Sequence, residues 1–167
     1  MNTLCIGLFG TCGGSTWRTE FEQCYRQQNI TWFNPQVDDW TPDCAVVEAE
    51  HLANDRIVVF PITAETYAEG SLSEVGFSIL NAIKLDDRRH FIVLIEQALS
   101  PELLEDAVRA KASLRARALV TQHLKKLRLD GLYVVDSLEQ ALTVSLACYH
   151  AEQLLQPVRA LAPHRAE

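Results

Sequence analysis

Long apolar runs are missing from this 167-residue chain. None approaches the roughly 20 residues that span a bilayer, so no membrane partner is expected. The apolar start LCIGLFG has no Lys or Arg before it and no small-residue cleavage pattern soon after, and it reads as a strand of a soluble, untargeted protein. Paired cysteines are missing too. Cys5, Cys12, Cys24, Cys44 and Cys148 are odd in number and scattered, with no C-x-x-C pair to hold zinc or run a redox cycle. A reducing, cytoplasmic setting is the expectation. The five histidines, His51, His90, His123, His150 and His164, include no pair at H-E-x-x-H or any other helical ligand spacing, so neither a metal nor a cofactor is expected. Positive charge is also scarce: a net charge of −7 excludes a general affinity for nucleic acid, whose phosphates need a surplus of Lys and Arg. The balance reverses only where Arg109, Lys111, Arg115, Arg117, Lys125, Lys126 and Arg128 crowd one segment. Such a run reads as a solvated helix face, with a phosphate-binding or partner-docking surface as the alternative.

What is present is a hydrophobic content of 48%, enough in a chain of this length for one sizeable core. One domain is expected over residues 1–157, followed by a flexible tail, 158–167, with little periodicity. Short β-branched runs alternate with longer helical patterns: TLCIGLF (3–9), ITWFN (30–34), RIVVFPI (56–62), HFIVLIE (90–96) and GLYVVD (131–136) are the strands. Helices are expected from about Thr16 to Gln28, from Thr41-Pro42 to near Asn54, from Ser71 to Lys84, from Ser100-Pro101 to about Leu127 with a break, and from Ser137 to about Leu155. The third carries Leu72, Val75, Phe77, Ile79, Leu80 and Ile83, too many for one narrow stripe, and should be largely buried. This alternation predicts a three-layer α/β/α domain with a five-stranded parallel sheet in the flavodoxin-like order 2-1-3-4-5.

In such sheets ligands sit at the carboxyl ends of the strands, which selects three loops. The first, FGTCGGSTW, offers Phe9, Gly10, Gly13, Gly14 and Ser15, where glycine lets backbone approach a ligand and the following helix start presents free N–H groups to an anion. It is a phosphate or ribose cradle or a plain tight turn. The second, NPQVDDWT, brings Asn34, Asp38, Asp39 and Trp40 to the edge. The paired aspartates are either a turn device or a contact to a sugar or base, with the indole as a flat face. The third contains Glu69-Gly70-Ser71-Leu72-Ser73-Glu74. There Glu74 has two readings: the carboxylate of a capping box opened by Ser71, or a nucleophile held ionised by the helix's positive end and able to attack an anomeric carbon. Asp55 begins a strand and so belongs to the opposite edge. Cys12 has no predicted basic neighbour, and small-residue packing is its simpler role.

Taken together, these loops resemble those of the nucleoside 2-deoxyribosyltransferase-like family, which shares a glycine-rich first loop, an Asn-Pro second loop and a Gly-x-x-x-Glu-x-Gly type segment. Here that segment is Gly70-Ser71-Leu72-Ser73-Glu74-Val75-Gly76. The resemblance covers residues 3 to 96 by motif and the rest by order of elements. Where the family usually carries a basic residue in the second loop, this chain has Gln36-Val37-Asp38-Asp39. The resemblance implies an N-glycosidic bond enzyme, a transferase or hydrolase on a nucleoside or nucleotide, with Glu74 as nucleophile. It also implies a homodimer or larger homo-oligomer. The alternatives are a nucleotide-binding sensor without turnover and an N-glycosidase of nicotinamide dinucleotides.

Overall fold

The computed structural model describes residues 4–39, 41–84, 88–159 and 161. Its strands are β1 (Ile6–Leu8), β2 (Trp32–Phe33), β3 (Ile57–Ile62), β4 (His90–Ile95) and β5 (Leu132–Val135). They form one parallel sheet in the order β2-β1-β3-β4-β5, the arrangement predicted from the alternation of runs. The helices are α1 (Trp17–Gln27), α2 (Pro42–Asn54), α3 (Glu69–Lys84), α4 (Pro101–Leu104), α5 (Ala107–Lys126) and α6 (Leu138–Arg159). The expected break in the fourth helix separates α4 from α5, which restarts where the Asp106 side chain accepts from the Arg109 N–H. The last helix runs through Pro157 to Arg159, past the boundary drawn for the tail. Residues 160 and 162–167 lie outside the described residues. Among the described residues, no helix is long and apolar enough to cross a membrane.

The pleat divides β3 between two cores. Ile57 and Val59 point into a cluster with Trp17, Phe21 and Tyr25 of α1 and Ala141, Cys148 and Tyr149 of α6. Val58, Phe60 and Ile62 point the other way, toward Val75, Ile79 and Ala82 of α3 and Leu124 of α5. All six residues of β3 are buried, so this strand is apolar on both faces, as a central parallel strand must be. Pro61 is tolerated there for a geometric reason. A residue's N–H and C=O leave a strand on the same side, and the Pro61 carbonyl faces the chain just past the end of β1, where it accepts from Thr11 N. Its missing N–H therefore falls just past Leu8, where the β1–β3 ladder ends, and costs no bond within β1. Gly10 fills that gap with φ +97°; a Cβ there would meet the Pro61 oxygen at 2.2 Å.

The third helix departs from expectation. It buries Val75, Ser78, Ile79 and Ala82 but leaves Phe77, Leu80 and Ile83 exposed, Phe77 to 74%. One face packs on the sheet; the second apolar face is uncovered in the single chain.

Candidate functional site

In this strand order the topological switch point lies between β1 and β3, and the loops that follow them are stitched together. Thr63 N donates to Thr11 Oγ1, and the Thr11 carbonyl accepts from the Trp17 indole and from Arg18. Arg18, buried to 3% exposure on the first turn of α1, also donates from Nε to the Leu8 carbonyl and lies within reach of Gln36 Oε1 and Cys12 Sγ. Gln36 in turn donates to the Gly13 carbonyl at 2.7 Å. The first and second loops are thus one unit, held by an arginine and a glutamine that the sequence reading had not singled out. Cys12 has Arg18 as a basic neighbour after all, because the helix turns the guanidinium back over the loop.

Within that unit the predicted residues take different places. Phe9 is a core residue, 3% exposed and stacked on Phe60; only its backbone is available at the edge. Gly10 is used up in contact with Pro61. Gly13 and Gly14 are exposed with open space where a side chain would stand. Ser15 is buried, and its hydroxyl has no hydrogen-bond partner among the described residues. Asn34 shapes the second loop: its Oδ1 accepts from Gln36 N while its Nδ2 donates to Glu22. Asp38 and Asp39 are exposed in a bend, and Trp40 lies outside the described residues.

At the third loop the helix begins earlier than expected. Ala68 takes a left-handed φ of 62°, its N–H donates to Thr66 Oγ1, and its carbonyl accepts from Leu72 N. Glu69 is therefore the first helical residue, Gly70 and Ser71 lie on the first turn, and Glu74 sits in the second. The capping box is not formed, because Ser71 is already inside the helix. The helix's positive end does not hold Glu74 either, since that effect fades within one turn. Glu74 is exposed, and its carboxyl is raised from its ordinary value by the partial desolvation of the α2–α3 seam first and by the negative charge of Glu48 second. No side chain among the described residues hydrogen-bonds to it. Glu69, by contrast, is committed to an exposed ion pair with Arg109 at 2.9 Å, which lowers its pKa.

Glu48, on the inner face of α2, links the regions. Its charge raises Glu74 and also acts on Arg18 beneath the glycine loop. Its spacing of four from Cys44 and from Leu52 places it on the half-buried side of α2, a signal readable in the sequence.

A second buried arginine organises the same edge. Arg117 of α5, 0% exposed, donates to the carbonyls of Ile62, Thr63, Thr66 and Glu96 and to Ser113 Oγ. It lies in the basic segment read as a solvated face, and its six neighbours there, Arg109, Lys111, Arg115, Lys125, Lys126 and Arg128, are exposed as that reading requires. Arg117 departs from them because it shares a helix stripe with Ala110, Ser113 and Leu124.

Two cavities lie away from Glu74. One of about 810 Å³ opens at the amino edge of β4 and β5 beside His90, Arg128 and Glu152. The other, about 330 Å³, adjoins Glu96, Thr121 and Asp136 at the carboxyl ends of β4 and β5. No protein-family model matches the chain, and no curated protein does either.

Proposed function

We propose that the protein cleaves or exchanges the N-glycosidic bond of a nucleoside or nucleotide, with Glu74 as the nucleophile. The observation that supports this reading is the state of Glu74: an exposed carboxylate on the second turn of α3, free of any capping duty, without a hydrogen-bond partner among the described residues, and sharing the field of Glu48 with Arg18 beneath the glycine loop. A carboxylate oxygen beneath the anomeric carbon would bond to it as the bond to the base breaks, and the departing base would take a proton from a second acid. Asp38 or Asp39 would contact the sugar or the base. The glycosyl ester would then be opened by an acceptor base, giving transfer, or by water, giving hydrolysis.

Sugar or phosphate binding falls to the first loop in this scheme. The open space over Gly13 and Gly14 admits a ligand close to backbone, and the Ser15 hydroxyl, without a hydrogen-bond partner among the described residues, stands just before α1, whose free N–H groups favour an anion. Resemblance to the nucleoside 2-deoxyribosyltransferase-like family points to the same chemistry.

A second reading is a nucleotide sensor that binds without turnover. It is favoured by the position of both cavities away from Glu74. The two are separated by incubating the protein with deoxynucleosides and their monophosphates and following free base by chromatography, alongside calorimetric binding. Glu74→Gln should abolish base release while the far-ultraviolet circular dichroism spectrum stays that of the parent. Base release at an unchanged rate in that variant removes Glu74 from the mechanism, and binding without any base release favours the sensor.

A further inference from the structure

At the opposite edge of the sheet, three residues distant in sequence converge. Cys5 immediately precedes β1, His51 lies in the last turn of α2, and Asp55 caps that helix just before β3. The Cys5 sulfur, an imidazole nitrogen of His51 and a carboxylate oxygen of Asp55 lie within 4.8 Å of one another. His51 Nδ1 stands 3.0 Å from each Asp55 oxygen, and the Cys5 thiol faces the same carboxylate.

We propose that Cys5 Sγ, His51 Nδ1 and the Asp55 carboxylate form a zinc site, with the fourth position left to water or an outside ligand. A thiolate, an imidazole and a carboxylate are the donor types that Zn²⁺ accepts, and three protein ligands with one open position is a stable zinc arrangement. Bond lengths of about 2.0–2.3 Å place tetrahedral donors roughly 3.5 Å apart. The Nδ1 to oxygen separation is already near that value. The remaining separations, within 4.8 Å, need a contraction of at most about 1.3 Å. On binding, the thiol proton leaves to solvent as the sulfur–metal bond forms.

The surroundings hold the donors in place. The His51 ring stacks on Phe33 with centroids 3.7 Å apart and planes 2° from parallel, which fixes where Nδ1 points. Asp55 is 7% exposed, and its backbone is clamped by Arg89, which donates to the carbonyls of Asp55, Ala53 and Leu52. Gly7 leaves room for the carboxylate, since a Cβ there would meet Asp55 Oδ2 at 2.7 Å. His51 is 34% exposed, which gives the ion a route in from solvent. A bound ion would tie β1, α2 and β3 at the edge remote from Glu74, so this site stands or falls independently of the glycosidic reading.

The test uses the full chain, freed of metal with a chelator and titrated with zinc or cobalt. Cys12, Cys24 and Cys44 are replaced by Ser to remove other accessible thiols. One zinc per chain is expected, with a thiolate-to-cobalt charge-transfer band. Cys5→Ser should abolish the band. His51→Gln and Asp55→Asn should weaken zinc binding by on the order of 100-fold, at least what the loss of an outer-shell partner costs. X-ray absorption of the zinc-loaded parent, which needs no variant to fold, should show one sulfur scatterer with nitrogen or oxygen filling the rest of the shell. Failure to take up zinc stoichiometrically, a shell without sulfur, or a cobalt band that survives Cys5→Ser overturns the site.

Discussion

Arg117 shows how much one side chain can hold in this fold. Its guanidinium ends in backbone carbonyls from the close of β3, the loop beyond it and the close of β4. No carboxylate is among these hydrogen-bond partners; the carbonyl dipoles, together with the nearby charge of Glu96, satisfy the guanidinium. Arg117→Met would strand several buried carbonyls at about 1–3 kcal/mol each, so a loss of about 4 kcal/mol or more is expected in urea unfolding. Arg117→Lys should recover only part of that, because an ammonium has three donors and no planar fork. Equal stability of the Met variant and the parent would show that the clamp is idle. The sequence hid this residue among six other cations, and only its place on a small-residue stripe distinguished it. Gln36 was hidden for a related reason, since its side chain acts through Arg18 and the Gly13 carbonyl, 18 and 23 positions away.

The strands and most helix limits were legible because local signals and packing agree. Ser137 Oγ accepts from Gln140 N, and the Gln140 side chain reaches back to Asp136 N, a reciprocal cap at the Ser-x-x-Gln spacing of a capping box. The start of α3 misled because Ser71-Leu72-Ser73-Glu74 imitates the same signal, whereas the actual start is set by Ala68 in left-handed backbone, which no propensity favours. That shift moves Glu74 from the helix end to the seam between α2 and α3, beside Glu48. Its ionisation therefore depends on the neighbouring helix. An elevated carboxyl needed as the anion loses function as pH falls through its pKa, so the acid limb of kcat/KM should lie above the ordinary carboxylate range. Glu48→Gln removes the like charge and should move that limb to lower pH. Carboxyl-carbon NMR titration of Glu74 reads the same shift without reference to turnover; no movement in Glu48→Gln would mean that the two groups are uncoupled.

The layered architecture follows from patterns within single elements, but what covers the molecule does not. Phe77, Leu80 and Ile83 on α3, with Val46 and Val47 on α2, leave apolar side chains in water that neither core takes up. A second copy of the chain is the occupant we favour, in keeping with the homo-oligomer expected from the resemblance; a stable interface of this kind buries about 1,200–2,000 Å² in total. Phe77 lies three positions beyond Glu74, so the two are neighbours on the helix surface. A partner resting on Phe77 would also shield Glu74 from water and build around it a pocket that the cavities of the single chain, which lie elsewhere, do not provide. Sedimentation should accordingly show a dimer or larger species, and Phe77→Asp with Leu80→Asp should yield a monomer with unchanged circular dichroism. If the neighbouring copy completes the pocket, base release by the parent should rise more steeply than in proportion to protein concentration across the range where the oligomer assembles, and the monomeric variant should be nearly inactive with Glu74 untouched. Strict proportionality through that range would confine the oligomer to a structural role.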